Sequence, residues 1–360
     1  MLRISKYQLF CLMVLFQFGT TALFVLGAKA NQDAWFVIIL AMAAGLVLNV
    51  IYTELYKQYP NDTLVEIIIK VLGKGLGTPL AFLVIFYFIH IAAHNIAEFS
   101  YIIQSTFLPR TPFIVVAGIF VLAAGYILFL GVEVFGRTSE VMLPIVVVFV
   151  LSVYVLVYIS GAADLGELQP VLASDWRTLL KALPQVENAP FGETVVFLMY
   201  FCYADDKQAV QKVALGAVFM TGVLLVIGTI TIIATLGIAY ATIAAVPFLS
   251  VLQAINISDI LTNLDSLGVS IISIGGLYKM ATVYFAGISG MATLLNFKQK
   301  KWLLIPVGLF ILWLAVSMPS FTFQRFLGQE VSTPYIHIMF QSMPVLLLCI
   351  CILKKLVTPV

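Results

Sequence analysis

Three ionisable side chains stand where the sequence is otherwise apolar: Glu98, Glu193 and Lys279. A charge near a bilayer centre costs roughly 2.5–3.5 kcal/mol on insertion scales, so such residues face a bundle interior and either pair or serve a pathway. The plainer role for each is a buried salt bridge that only fixes helix packing. Glu193 carries the stronger functional signal. It lies in Pro190-Phe191-Gly192-Glu193-Thr194, where a proline and a glycine interrupt an apolar helix. A related pattern occurs earlier: Phe18-Gly19-Thr20-Thr21-Ala22-Leu23-Phe24 aligns with Phe191-Gly192-Glu193-Thr194-Val195-Val196-Phe197. Phe, Gly, Thr and Phe coincide at four of seven positions. Two interrupted hydrophobic segments at corresponding places in two halves of a chain point to a transporter-type binding site. Unwinding at Gly19, Thr20 and Thr21 would expose backbone N–H groups suited to a carboxylate. The competing use of Gly19 is a tight crossing with another membrane helix.

Two further clusters bear on chemistry. His90, His94 and Glu98 follow i, i+4, i+8 and, with Asn95, give one helix a polar side. A His/His/Glu set can bind zinc, but three ligands spread over two turns of one helix need help from elsewhere. A hydrated pathway or interhelical hydrogen bonding suits the pattern better, and no metal is expected. Lys279 follows Gly275-Gly276-Leu277-Tyr278, where the glycines permit close approach of another helix. A fixed ammonium there could replace a coupling cation, and a titrating one could couple protons. Motifs of soluble enzymes are absent: there is no Walker A loop, no His-Glu-x-x-His and no nucleophile elbow, so the chain reads as a non-enzyme without cofactor. Asp205-Asp206 reads as a helix cap. Cys11, Cys202, Cys349 and Cys351 all lie in or beside apolar runs and read as packing residues.

The elements that position these residues follow from composition. The chain has 360 residues, of which 62% are hydrophobic and 10% charged, and its mean hydropathy is +1.09. A soluble protein carries about 25% charged residues. This is the composition of an all-α polytopic membrane protein, and a net charge of +2 gives no case for nucleic acid. Ten spans fit, near residues 7–28, 34–56, 77–107, 113–131, 139–161, 187–204, 209–238, 264–294, 302–319 and 336–354. The first resembles a secretory signal ending in Ala28-Lys29-Ala30, but its apolar run is too long and too interrupted, so it reads as a retained helix. With the N-terminus inside, one face receives thirteen Lys and Arg residues, Lys298 among them, and the other five, which places both termini in the cytoplasm. Breaks in the first and sixth of ten spans imply a single domain, 1–360, of five plus five helices. Repeat one covers about 7–161, and repeat two, about 187–354, enters inverted.

Three connecting stretches are more than linkers. Residues 169–183, with Asp175-Trp176-Arg177, read as a short amphipathic helix with an interfacial Trp. Pro247 and the apolar residues from Phe248 to Ile257 read as a short helix folded over the outer mouth. Asn61 or Asp62 is placed to cap a cytoplasmic helix carrying Glu66 and Lys70 at i, i+4.

The order of these stretches resembles the permease-like B subunit of the GerA-type spore germinant receptors, within the amino acid–polyamine–organocation superfamily. The resemblance rests on Gln8-Leu9-Phe10, Phe18-Gly19-Thr20-Thr21-Ala22, Asp33-Ala34-Trp35, Leu168-Gln169-Pro170-Val171-Leu172, Pro190-Phe191-Gly192-Glu193, Asn256-Ile257-Ser258-Asp259 and Gly275-Gly276-Leu277-Tyr278-Lys279. It spans essentially the whole chain. It implies a LeuT-like inverted repeat and a ligand pocket between the first, third, sixth and eighth spans. It also implies residence in the inner membrane of a bacterial spore beside A and C subunits. The implied role is to bind a small nutrient, an amino acid above all, and trigger germination; the alternative is a proton-coupled amino-acid transporter. The implied ligand residues are Gly19, Thr20, Thr21, Phe191, Gly192 and Glu193, with Lys279 nearby, and His94, Glu98 and Lys279 form the polar pathway. Glu193 could meet a ligand ammonium or pair with Lys279.

Overall fold

The computed structural model describes residues 3–255, 264–297 and 299–357; Asn256-Ile257-Ser258-Asp259 and Lys298 lie outside the described residues. The architecture is all-α. Helix α1 (Lys6–Phe18) starts from a capping box in which Ser5 and Gln8 satisfy each other's backbone N–H groups. Beyond its exposed start it is core, with Leu12, Met13, Val14 and Phe16 fully buried. It stops at Phe18, and a short 3-10 turn, Thr21–Leu23, follows. A second 3-10 turn, Ala28–Asp33, leads into α2 (Ala34–Gln58).

Helix α3 (Leu64–Thr106) joins the expected cytoplasmic helix to the third span, with a break at Gly73, whose φ of 76° suits glycine alone. Its cap is Thr63, not Asn61 or Asp62. The Glu66 carboxylate accepts from Thr63 N at 2.7 Å, closing a capping box. Lys70 consequently pairs with Asp62, at 2.6 Å, instead of with Glu66. Helices α4 (Phe113–Leu130) and α5 (Val132–Ile159) follow, α5 beginning seven residues before the expected span.

The amphipathic helix is α6 (Trp176–Val186), capped by Asp175 and burying Leu179, Ala182 and Val186, while Trp176 stays exposed. Residues 169–174 precede it as a non-helical strap. The strap is held by Asp33, whose buried carboxylate accepts from Leu172 N at 2.7 Å and Ser174 N at 2.8 Å. Two of the stretches that carry the family resemblance therefore touch each other.

From Glu187 to Tyr203 there is no α-helix. A π-type turn, Glu187–Phe191, runs into 3-10 turns at Gly192–Met199 and Phe201–Tyr203. Irregular backbone at membrane depth must be enclosed by protein, and every residue from Pro190 to Tyr200 is buried. Then come α7 (Val210–Ile243), α8 (Pro247–Ala254), α9 (Asp265–Leu294) and α10 (Leu304–Val316). Asp206 does not cap α7, whose N-cap is Ala209; it accepts from Gln208 N and Ala209 N in the turn that leads into the helix. Helix α8 packs on α7, α9 and the Thr21–Leu23 turn.

The stretch between the last two expected spans is a correction. It is helical: α11 (Phe321–Phe326) runs through a π-type segment, Leu327–His337, into α12 (Ile338–Val357). Among the described residues seven helical stretches are long and apolar enough to cross a bilayer. These make the chain a multi-pass membrane protein. Helix α1 and helix α10, at 13 residues each, are shorter than a straight crossing of a ~30 Å core requires.

Candidate functional site

Lys279, on α9, is the junction of the molecule. Its Nζ donates to Thr20 Oγ1 at 2.9 Å and lies 2.9 Å from Glu193 Oε2. Both side chains of the ion pair are nearly sealed, at 3% and 6% exposure, which excludes solvent screening of the charge. The approach is oblique: Glu193 Oε2 accepts no aligned hydrogen bond, so the contact is Coulombic first. The ammonium also sits 5.8 Å from the Phe16 ring centroid, and His337 Nδ1 lies 3.7 Å from Glu193 Oε1. One ammonium therefore ties α9 to the interrupted end of α1 and to the irregular 187–203 segment.

The aligned sequence pattern is repeated in geometry. In each segment the residue after the glycine, Thr20 or Glu193, meets Lys279. In each, the following threonine bonds back three residues: Thr21 Oγ1 to Phe18 O at 3.3 Å and Thr194 Oγ1 to Phe191 O at 2.6 Å. Thr21 also donates to Gln17 O at 2.5 Å. These hydroxyls occupy carbonyls that the interrupted helices leave free.

The glycines serve packing. A Cβ on Gly19 would stand 2.6 Å from Gly275 O, and one on Gly275 2.8 Å from Gly19 Cα, so two backbones touch at this crossing. A Cβ on Gly192 would meet Gln341 Oε1 at 2.2 Å. Gln341, on α12, donates to Asn188 O at 2.8 Å and so staples the irregular segment from the other side. Phe191 is fully buried against Gly45 of α2, and Asn49 Nδ2, one turn on, donates to Thr194 Oγ1 at 2.9 Å.

Above Lys279 a cavity of ≈ 170 Å³ opens, large enough for several waters or one small polar molecule. Thr20, Thr21 and Glu193 line it, as do His94, Glu98 and Lys279. Gly19, Phe191 and Gly192 do not; they build its wall from behind. The polar side foreseen on α3 faces this space. His94 Nε2 meets Gln324 Nε2 at 2.7 Å and accepts from it, while His90 lies against Ser332 Oγ at 3.4 Å. Among the described residues no group of three or more His, Cys, Asp or Glu is placed to hold a metal ion.

Sequence reasoning missed Gln324, Arg325 and His337, which all line the cavity from the α11–α12 side. It also missed Asn49 and Gln341. A usable signal existed for the last two, since each is a lone amide in an apolar run.

Comparison with known proteins agrees with this architecture. The family model described as Spore germination protein matches residues 3–321. Spore germination protein KB of Bacillus subtilis (strain 168) is 31% identical over 357 residues, 98% of this chain and 95% of that protein. Spore germination protein YndE of the same organism is 23% identical over 90% of this chain and 88% of its own. Among solved structures, MhsT in complex with L-phenylalanine superposes with a TM-score of 0.69 at 13% identity, over 93% of this chain and 88% of that one. A substrate-bound, outward-open Na+-coupled sialic acid symporter gives 0.67 at 12% identity, over 96% and 89%. These likenesses make the fold LeuT-like. The family match along residues 3–321, with a relative 31% identical across nearly the whole length, shows that this chain belongs to the spore germination protein family, permease-like membrane proteins rather than enzymes.

Proposed function

We propose that the cavity above Lys279 binds a small nutrient, an amino acid, near the membrane midplane and that the chain acts as a permease in spore germination. The observation that carries this reading is the Lys279 junction. Two interrupted segments meet one buried ammonium beneath a polar cavity, the place where transporters of this fold type hold substrate and coupling ion. Thr20, Thr21 and Glu193 face the ligand, and Gly19, Phe191 and Gly192 hold those residues in place. His94, Glu98 and Lys279 form the polar pathway. Lys279 takes the position of a coupling cation.

A single domain of ten spans in a five-plus-five inverted repeat accounts for this arrangement. Ile4 N donates to Tyr203 O at 2.8 Å, so α1 starts where the 187–203 segment ends, and the two approach Lys279 from opposite senses. Both termini lie in the cytoplasm, on the argument of loop charge.

Transport is favoured by the fold neighbours, one a complex with L-phenylalanine and the other a Na+-coupled symporter; proton coupling is the form of transport proposed for this chain. The second reading is a ligand-sensing B subunit of a GerA-type receptor in the spore inner membrane, beside A and C subunits. Family membership favours it. The deciding experiment is uptake and binding of labelled amino acids by proteoliposomes, with and without an imposed proton gradient. Gradient-driven accumulation establishes transport. Saturable binding without accumulation, in the chain alone and in the assembled complex, establishes sensing. Neither uptake nor binding in either preparation removes the cavity from consideration as a ligand site.

A further inference from the structure

We propose that Glu98 and Arg325 form a two-ended clamp that reads both charges of a zwitterionic ligand, while Glu193 and Lys279 shape the cavity without meeting those charges. The inference rests on the cavity being a ligand site.

Four permanently ionisable side chains line the cavity: Glu98, Glu193, Lys279 and Arg325. Glu193 and Lys279 already neutralise each other at 2.9 Å. The remaining acid and base are not joined: among the described residues neither Glu98 nor Arg325 enters an ion pair. Glu98 is half-buried on α3 and lines the cavity beside His94 and Asn95. Since Lys279 is committed elsewhere, the positive partner left for this corner of the cavity is Arg325.

Arg325 is held for the task. Its guanidinium carbon lies 5.2 Å from the ring centroid of Phe24 and 5.7 Å from that of Phe321. Aromatic faces hold the cation by its plane and leave the N–H edge for a carboxylate. The residue before it, Gln324, is anchored on His94 Nε2, one helical turn from Glu98 on α3. That anchor fixes α11 against the turn of α3 that carries the acid.

The cavity thus presents one acid and one base that, among the described residues, no ion pair within the protein satisfies. A ligand with one ammonium and one carboxylate gives each end its counter-charge. A ligand with a single charge leaves the other end buried and unpaired, which is costly away from water. The carboxylate end suits the guanidinium fork, which accepts such groups through two parallel hydrogen bonds.

The test uses the full-length chain in lipid nanodiscs, with binding measured for the free L-amino acids and then for derivatives of whichever binds. The C-terminal amide keeps only the positive charge, and the N-acetyl derivative only the negative. The wild type should bind the free amino acid about tenfold to a hundredfold more tightly than either derivative, from the strength of one charge-assisted contact. Glu98→Gln should bring the amino acid down to the level of its N-acetyl derivative. Arg325→Gln should bring it down to the level of the amide, and Arg325→Lys should retain part of the difference. Glu193→Gln should weaken all three compounds alike.

Equal wild-type binding of a derivative and the free amino acid overturns the clamp, and this comparison needs no variant to fold. Unchanged selectivity in both Glu98→Gln and Arg325→Gln overturns it as well. If no amino acid binds the wild type at all, the ligand-site reading falls and the clamp falls with it. Binding with unaltered selectivity in the variants removes the clamp alone.

Discussion

Removing Lys279 while keeping Glu193 is the sharpest perturbation of this structure. At 2.9 Å the two charges attract by roughly 6 kcal/mol if the effective dielectric is about 20. Burying both ions costs a similar amount, so the intact pair adds little net stability. The asymmetry appears when one member goes. Lys279→Met strips Glu193 of the one ammonium close to it among the described residues, leaving His337 Nδ1 at 3.7 Å, and also removes the donor to Thr20. The expected loss is about 3–5 kcal/mol, the cost of a buried charge without its partner. Replacing both residues, as Lys279→Met with Glu193→Leu, should recover most of that loss, because the uncompensated charge is gone. Thermal unfolding of the full chain in detergent or nanodiscs reads both variants against wild type. The reasoning is refuted if Lys279→Met unfolds like the wild type, or if the double variant is no more stable than the single one. Either result would mean that the pair is not closed in the membrane-embedded protein.

Other positions make independent predictions. Gly19→Ala and Gly275→Ala should each destabilise by about 1–3 kcal/mol, because the added methyl meets backbone that cannot turn away; normal thermal stability in both would refute the tight crossing. Gly192→Ala should also destabilise, but its clash is with the tip of a side chain. Gln341→Ala should therefore rescue Gly192→Ala in the same unfolding assay, and no rescue would contradict the assigned contact. Asp33→Asn turns a donor towards one of two backbone N–H groups and should cost about 2–3 kcal/mol. It should also speed protease cleavage within residues 169–174, and an uncut strap with unchanged stability would count against its anchoring role.

What could be read in advance depended on whether the information was local. The interruptions after Phe18 and within 187–203 were legible because proline, glycine and a charge break an apolar helix wherever they stand. The four-in-seven match has its counterpart in the matching threonine bonds, which involve only neighbours in sequence. That Gly19 and Gly275 permit a close approach was legible, but what each glycine approaches was not. Gly19 and Gly192 look alike along the chain, yet one meets the backbone of Gly275 and the other the amide of Gln341. Both partners come from distant helices. Residues 320–335 fell outside the expected spans because they contain no sustained apolar run. They are polar because they wall the cavity, through Gln324 and Arg325. The cap of α3 moved to Thr63 for a smaller reason: only there does Glu66 fall three residues on, as the reciprocal bonds require.

The junction between Ile4 and the end of the irregular segment has a mechanical meaning. There Ile4 N donates to Tyr203 O and Asp205 N to Ile4 O, and Lys300 Nζ bonds Tyr203 Oη at 2.8 Å and Ser289 Oγ at 2.9 Å. Near Phe24 and Arg325, by contrast, the elements meet through side chains, a cation resting on rings and the Gln324 amide on His94. Backbone hydrogen bonds at one end and side-chain contacts at the other make the Ile4 end the stiffer of the two.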